Sequence, residues 1–208
     1  MSDNKTKLYL ISPPNFELDK FAETLKKTLS AAEVPVFQLR MKEKNDEGQY
    51  IAPPDKDKLY HAIDRLMPIC RDNNSVFILN DFPEIAKEVG ADGVHVGVED
   101  MAVKEAKEIV GENVIVGSSC YGSKDRAFTA GEQGADYVAF GAFYDTQTKT
   151  PRGRPTPDLL EFWQDYTTIP SVAIGGIKVD NVLPLVKARA DFAAVVTGVS
   201  DYPEGAEQ

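Results

Sequence analysis

The chain is poor in the residues that build disulfide frameworks, metal clusters and membrane spans. Only two of its 208 residues are Cys and two are His. Cys70 and Cys120 are too few for a disulfide framework, and neither stands at a metal-ligand spacing from a second Cys or a His. No run of about 18 apolar residues occurs, and the first residues contain no apolar signal-peptide core. We therefore expect a reducing, cytoplasmic location and no contact with a membrane.

Positive charge is scarce as well. Lys and Arg total 23 against 33 Asp and Glu, so the formal net charge is -10. A chain of this charge repels nucleic acid and anionic lipid, and we expect no nucleic-acid partner. A phosphorylated ligand should instead be small and held by a local cluster of cations. The length and the 42% apolar content suit one domain that spans residues 1–208.

A regular alternation of strand-like and helix-like segments runs through the chain. It predicts a parallel sheet, and the length suits an α/β fold of the (β/α)8 TIM-barrel type. An open doubly wound sheet is the alternative, but no G-x-G-x-x-G opens the first helix and polar residues follow many strands instead of one. The predicted strands occupy residues 7–11, 35–41, 76–80, 93–97, 114–119, 137–143, 171–177 and 192–199.

Two further patterns concern the scaffold. Gly-Ala-Asp at 90–92 and 134–136, and a looser copy at 189–191, each lead into a strand. Because Gly is favoured at helix ends and Asp in turns, we interpret them as structural signals at the strand starts, opposite to the face where barrels do chemistry. The polar segment 43–58 is predicted to be an extended surface loop.

The second predicted strand carries Gln38, Arg40 and Lys42 on one face, between apolar neighbours. The outward face of a barrel strand packs against helices and should be apolar, so the three polar side chains are predicted to point inward. Two inward cations need an anion, and we favour a bound ligand. A buried ion-pair network is the alternative.

Asp81 and Asp100 follow the third and fourth predicted strands. Two carboxylates at the carboxyl ends of neighbouring strands can share Mg²⁺ with the phosphate oxygens of a substrate. The alternative is that each aspartate caps the helix that follows it. The presence of both aspartates near Arg40 and Lys42 favours the metal. His95, on the fourth strand, is predicted to be a core histidine.

The remaining candidates follow the later strands. Ser119 and its neighbours offer hydroxyl groups to an anion after the fifth strand. Residues 146–154 collect three cations and three hydroxyls, which indicates a phosphate-binding loop or, alternatively, a solvated surface loop. The segments 174–177 and 196–198 end strands seven and eight, where barrels bind phosphate through backbone N–H groups; a ligand-free barrel corner is the alternative.

Taken together, these motifs resemble the thiamine phosphate synthase family. The resemblance implies a (β/α)8 barrel and a Mg²⁺-dependent transferase of thiamine biosynthesis. Such an enzyme joins hydroxymethylpyrimidine pyrophosphate to a thiazole phosphate and releases thiamine phosphate and pyrophosphate. Its partners would be these small phosphorylated substrates. The motifs that carry the resemblance are Gln38-x-Arg40-x-Lys42, Asn80-Asp81, GADGVHVG with Asp100, Gly117-x-Ser119, GADYVAFGAF with Thr146-x-Thr148-Lys149, and AIGGI.

The resemblance also implies a role for each candidate residue. Pyrophosphate would be held by Arg40, Lys42, Asn80, Ser119 and Lys149, all of which except Asn80 are expected to be catalytic. Mg²⁺ would be bound by Asp81 and Asp100, and the pyrimidine by Gln38. The thiazole phosphate site would be lined by Thr146, Thr148, Gly176, Val196 and Thr197.

The chain departs from the family pattern at a few positions. The family usually has His at the position of Tyr121, Pro at Ala142 and often at Asp145, and Ser at Thr197. The chain also stops at Gln208, where the last barrel helix should begin, so that helix is expected to be truncated or absent. Two other functions stay open, a thiazole tautomerase-like isomerase and a non-catalytic paralogue that binds phosphorylated ligands. The sequence allows a homodimer without requiring one.

Overall fold

The computed structural model describes residues 5–97, 100–145 and 154–196. Within them, eight strands form a barrel: β1 (Lys7–Ile11), β2 (Val36–Leu39), β5 (Val76–Asn80), β6 (Gly93–Gly97), β7 (Ile115–Tyr121), β8 (Tyr137–Phe140), β9 (Ser171–Ile174) and β10 (Phe192–Val195). Neighbouring strands are parallel and close the barrel in the order β1-β10-β9-β8-β7-β6-β5-β2. The predicted (β/α)8 barrel is confirmed, and the open doubly wound sheet is wrong.

Helices connect successive barrel strands and bury one apolar stripe each. In α1, for example, Ala22, Leu25 and Leu29 are buried against the barrel, while Glu17 accepts hydrogen bonds from the backbone N–H groups of the first turn. None of the helices in the described residues is long and apolar enough to cross a membrane. The helices are α1 (Leu18–Ala31), α2 (Lys56–Asp72), α3 (Pro83–Val89), α4 (Val103–Val110), α5 (Lys124–Glu132), α6 (Asp158–Tyr166) and α7 (Leu183–Lys187).

The apolar core has two layers, one on each side of the barrel wall. Successive residues of a strand contribute to them in turn. Phe37, Phe77 and Phe140 are fully buried in the layer between the strands and the helices. Tyr9 and Tyr137 belong to the smaller cluster inside the barrel. Because the side chains of a strand alternate between these layers, burying the apolar face of β2 outward sends its polar face into the barrel.

The Asp residues of the repeated Ala-Asp pattern hold the amino ends of the barrel strands together. Each stands directly before one strand and accepts a hydrogen bond from a backbone N–H at or near the start of the preceding barrel strand. The structural interpretation of this pattern is confirmed. The acceptors are Asp92, Asp136 and Asp191, and the donors, in the same order, are Phe77 at 2.8 Å, Val116 at 2.7 Å and Ser171 at 2.8 Å.

Two expectations about element boundaries were wrong. The segment 43–58 is not an extended loop, because β3 (Glu43–Lys44) and β4 (Tyr50–Ala52) form an antiparallel hairpin and α2 follows. The hairpin turn is held by the side chain of Asn45, which accepts hydrogen bonds from two backbone N–H groups, and by Gly48 at φ 79°. Strands β2, β8 and β9 end two to three residues earlier than predicted; after β8, Gly141 lies so close to the backbone of Ile174 that no Cβ would fit.

Candidate active site

The carboxyl ends of β2 and β5 bring an amide pair together. Gln38 is only 3% exposed. Its Nε2 donates a long hydrogen bond of 3.5 Å to Oδ1 of Asn80, the last residue of β5. The inward orientation predicted for Gln38 from its strand parity is confirmed by this contact.

An ion pair lies beside the amides. Nζ of Lys42 donates to Oδ2 of Asp81 at 2.6 Å, and the two side chains are 16% and 22% exposed. The backbone is held on both sides, since the Lys42 N–H donates to the carbonyl of Pro14 and the Asp81 N–H donates to the carbonyl of His95, each at 2.8 Å. Asp81 and Phe82 both adopt positive φ, at 61° and 54°. Such strained conformations in consecutive non-glycine residues are typical of functional sites.

Arg40 is a partly buried cation whose charge is influenced by the nearby carboxylate of Asp81. Among the described residues its guanidinium makes no hydrogen bond or ion pair, although its backbone N–H donates to Oγ of Ser12 at 2.9 Å. Burial lowers the pKa of the Arg40 guanidinium, and the negative charge of Asp81 offsets part of that effect. A charge that is partly removed from water and has no close counter-ion is costly. The arrangement therefore favours a ligand that brings an anion, and it argues against a self-sufficient buried ion-pair network.

The two aspartates do not cap helices. The N-cap residue of the helix after Asp81 is Phe82 and that of the helix after Asp100 is Ala102, and neither helix start has a side-chain capping hydrogen bond. The alternative interpretation as helix caps is therefore wrong. The carboxylate of Asp100 instead lies against Gly97 at the end of β6, where a Cβ would collide with its oxygen.

The donor set of these aspartates fits Mg²⁺. Both are hard oxygen donors at the carboxyl ends of the adjacent strands β5 and β6. Within the part of the chain that the structure describes, no group of three or more His, Cys, Asp or Glu could hold a metal. Mg²⁺ keeps several waters and is commonly bound by one or two carboxylates together with substrate phosphates, so two aspartates are sufficient.

A row of hydrogen-bonded side chains crosses the barrel interior and ends at Ser119 on β7. Oγ of Ser119 lies 2.8 Å from Nε2 of His95, and Nδ1 of His95 lies 2.9 Å from Oη of Tyr137. Oη of Tyr137 lies 2.8 Å from Oη of Tyr9. His95 is buried as predicted, but sequence analysis missed its contact with a candidate site residue. A signal was present: Gly117 leaves the space that the ring of Tyr137 occupies.

The ends of β8 and β9 are tied together beside Gly176. Tyr144 donates its backbone N–H to the carbonyl of Gly175 at 3.0 Å and its hydroxyl to the carbonyl of Asn181 at 2.6 Å. The side-chain amide of Asn181 in turn donates to the carbonyl of Gly176 at 2.9 Å. Gly176 has φ 64°, and a Cβ there would collide with the carbonyl oxygen of Asp145. Val196, after β10, packs against the cluster inside the barrel.

Four candidate residues lie outside the described residues. They are Thr146, Thr148, Lys149 and Thr197, so the prediction of a phosphate-binding loop at 146–154 stays a prediction. Of that loop the structure describes Arg154, whose guanidinium forms an ion pair with Asp145. Asp145, the departure from the family pattern, therefore neutralises one cation of the predicted cluster.

The two cysteines take no part in this chemistry. Both are buried. Burial raises the pKa of the Cys70 and Cys120 thiols to about 12, so both stay protonated and unreactive at neutral pH.

Sequence and structure are both similar to proteins of one family. The family model described as thiamine monophosphate synthase matches residues 8–199. A thiamine-phosphate synthase from Rhodospirillum centenum is 45% identical over 199 residues, which cover 96% of this chain and 91% of that protein. A thiamine-phosphate synthase from Hyphomonas neptunium is 42% identical over 202 residues, covering 97% and 89%.

Among solved structures, the thiamine phosphate pyrophosphorylase from Pyrococcus furiosus is similar over nearly the whole fold. The match has a TM-score of 0.79 at 30% sequence identity and covers 98% of this chain and 93% of that chain. Family model, relatives and structure agree with one another. The chain belongs to the thiamine monophosphate synthase family.

Proposed function

We propose that the protein is a thiamine phosphate synthase, which joins hydroxymethylpyrimidine pyrophosphate to a thiazole phosphate and releases pyrophosphate. Family membership supports this reaction. The observation that carries the proposal is the partly buried Arg40, whose guanidinium has no hydrogen-bond or ion-pair partner among the described residues and stands beside the Lys42–Asp81 ion pair at the carboxyl ends of β2 and β5. A diphosphate is an anion of the right charge for this position.

The cations act on the leaving group. Expelling pyrophosphate from a benzyl-like carbon leaves a pyrimidine carbocation and puts negative charge on the departing oxygens. Arg40 and Lys42, with the hydroxyl of Ser119, stabilise that growing charge, and Asn80 contributes an amide. The ammonium of Lys42 donates to Asp81 and is thereby held at the mouth of the barrel.

The second step is attack by the thiazole nitrogen on the carbocation. This step needs no general base, and proximity supplies much of the acceleration. Gln38 orients the pyrimidine from its inward position on β2. In this proposal the phosphate of the thiazole is bound by Thr146, Thr148, Gly176, Val196 and Thr197. Lys149, close to Thr146 and Thr148 in the sequence, contributes a further cation to the pyrophosphate.

Mg²⁺ belongs to this proposal as the metal bound by Asp81 and Asp100. When bound, it neutralises charge on the diphosphate and so favours departure of the leaving group. In addition to binding the metal, the carboxylate of Asp81 orients the ammonium of Lys42.

The test is to mix both substrates with Mg²⁺ and follow pyrophosphate and thiamine phosphate. Release of both products supports the synthase. An isomerised thiazole alone would indicate the tautomerase, and ligand binding without any reaction would indicate the non-catalytic paralogue. Asp81→Asn and Asp100→Asn should each lower turnover strongly and raise the Mg²⁺ concentration required. Asp64→Asn, an exposed carboxylate on α2, is the matched control and should behave as wild type.

The alternatives have less support. A tautomerase moves a proton and needs a base, for which the residue usually found at position 121 would be the candidate, but here it is Tyr. We also propose that residues 1–208 form one domain and that the enzyme acts in the cytoplasm. A homodimer would be detected by sedimentation equilibrium.

A further inference from the structure

His95 has no role in the reaction proposed above, but it lies within the hydrogen-bonded row Tyr9–Tyr137–His95–Ser119. We propose that His95 is a positioning residue that turns the hydroxyl proton of Ser119 toward the diphosphate. The inference rests on the proposed function, because it requires an anion at Ser119.

The geometry of the row is continuous and shielded from solvent. Its three oxygen and nitrogen contacts are 2.8 Å, 2.9 Å and 2.8 Å long. Tyr9 and Tyr137 are 3% and 7% exposed, and His95 is 8% exposed. The rings of His95 and Tyr137 also stack, with centroids 5.6 Å apart. Because these groups are buried, water has little access to them. Their hydrogen bonds are made to the neighbouring side chains of the row instead.

The direction of donation follows from the closed end of the row. Among the described residues, the Tyr9 hydroxyl has a hydrogen bond only to Tyr137. If Tyr137 donated to Tyr9, the Tyr9 proton would have no acceptor inside the barrel, and a buried unsatisfied hydroxyl is costly. Tyr9 therefore donates to Tyr137, which leaves the single proton of Tyr137 for Nδ1 of His95. Burial raises the pKa of both tyrosines, which keeps both protons in place.

The open end of the row faces the candidate active site. Because Nδ1 of His95 accepts, the neutral imidazole carries its proton on Nε2 and donates it to Oγ of Ser119. The proton of Ser119 is then not needed inside the barrel and can be donated to a ligand oxygen. A hydroxyl oriented before the substrate arrives stabilises the leaving group without reorganisation during the reaction.

The tautomer can be measured directly, without activity. The chain has two histidines, and His61 is exposed on α2, so a His61→Gln variant assigns the ¹⁵N signals. In the ligand-free protein at alkaline pH, two-bond ¹H–¹⁵N correlations should show His95 protonated on Nε2. Protonation on Nδ1 would overturn the proposal, because Nε2 of His95 would then accept the hydroxyl proton of Ser119 and leave none for the diphosphate.

A double-mutant cycle tests whether His95 acts through Ser119. Ser119→Ala should lower kcat about 100-fold. His95→Asn keeps a polar group near Tyr137 but loses the contact with Ser119, and should lower kcat about tenfold or more with the KM for thiazole phosphate unchanged. In the Ser119→Ala background, His95→Asn should have no further effect. Additive losses would show that His95 acts independently of Ser119 and would overturn the proposal.

His95→Gln is the conservative variant. Its side-chain N–H group lies near the position of Nε2, so it should restore kcat to within about threefold of wild type. Equal losses in the Gln and Asn variants, with both proteins folded by circular dichroism, would also contradict the proposal. Failure of the proposed function is distinguishable, because a wild-type protein that releases no pyrophosphate would still report its His95 tautomer.

Discussion

The ammonium of Lys42 and the carboxylate of Asp81 lie 2.6 Å apart across the ends of β2 and β5, although 39 residues separate them in the chain. The pair is partly buried, so each charge holds the other in place. Asp81 is also a candidate Mg²⁺ ligand. One carboxylate thus links the cation and metal parts of the candidate site.

Replacing Lys42 should therefore affect activity far more than folding. We expect Lys42→Met to lower kcat/KM about 100-fold, because a charge that stabilises the leaving group is lost. Lys58→Met is the matched control, since Lys58 forms an exposed ion pair with Glu43 at 3.2 Å. Exposed pairs contribute little, so that variant should stay within about twofold of wild type. Steady-state pyrophosphate release measures both, and similar losses would remove Lys42 from the site.

Replacing Arg40 should stabilise the protein against unfolding but weaken its binding of pyrophosphate. Because its partly buried charge has no hydrogen-bond or ion-pair partner among the described residues, Arg40→Met should raise the free energy of unfolding of the ligand-free protein by about 1 kcal/mol. The same variant should lose the thermal stabilisation that inorganic pyrophosphate with Mg²⁺ gives to wild type.

Arg65→Met is the control for Arg40, because Arg65 forms an exposed pair with Asp19 at 3.5 Å. It should change neither measurement. Chemical denaturation and thermal unfolding with and without pyrophosphate separate the two effects. If Arg40→Met still responds to pyrophosphate as wild type does, Arg40 is not part of the anion site.

Gly176→Ala tests the phosphate site at the end of β9. At φ 64° an alanine is strained, and its Cβ would also collide with the carbonyl of Asp145, so the loop must move. We expect a rise in the KM for thiazole phosphate of about tenfold or more. Gly90→Ala has nearly the same φ, 67°, but open space around its Cβ, and should cost only about 1 kcal/mol of stability. An unchanged KM in Gly176→Ala would separate this glycine from the thiazole site.

Lys149 lies outside the described residues, and its role is a prediction from the sequence. Lys149→Ala should reduce turnover about 100-fold with an unchanged unfolding transition. Lys87→Ala, on the exposed face of α3, is the control and should retain wild-type turnover. Near-normal turnover in Lys149→Ala would remove this residue from the active site.

Because Tyr9 and Tyr137 are buried, we expect the free energy of unfolding to fall at alkaline pH. Burial raises the pKa of Tyr9 above its ordinary value of 10.0, so the unfolded chain releases the proton first as the pH rises. The stabilisation is therefore complete below pH 10 and is lost as the pH rises toward the pKa of the folded state. The free energy of unfolding of Tyr9→Phe should decline less steeply above pH 10 than that of wild type. Parallel declines in urea denaturation would contradict this.

Features governed by local periodicity were predictable. The alternation along β2 predicted that Phe37 would face the helices and Gln38 the barrel interior, and both orientations are confirmed. The Ala-Asp pattern predicted turns at the strand starts, where Asp92 and its counterparts now accept backbone hydrogen bonds. These features depend on a repeat of two residues in a strand and on turn chemistry, which a short window of sequence contains.

Contacts between distant strands required the folded chain. No sequence pattern predicted that Asp81 would pair with Lys42, leaving Arg40 without an ion-pair partner among the described residues. Nor did any pattern predict that the aspartates would not cap the helices that follow them. His95 and Ser119, 24 residues apart, meet only because β6 and β7 pair in one register. The residue types and strand parity came from the order of amino acids. Their partners came from barrel closure, because closing the sheet determines which strand ends become neighbours and therefore which charged side chains can pair.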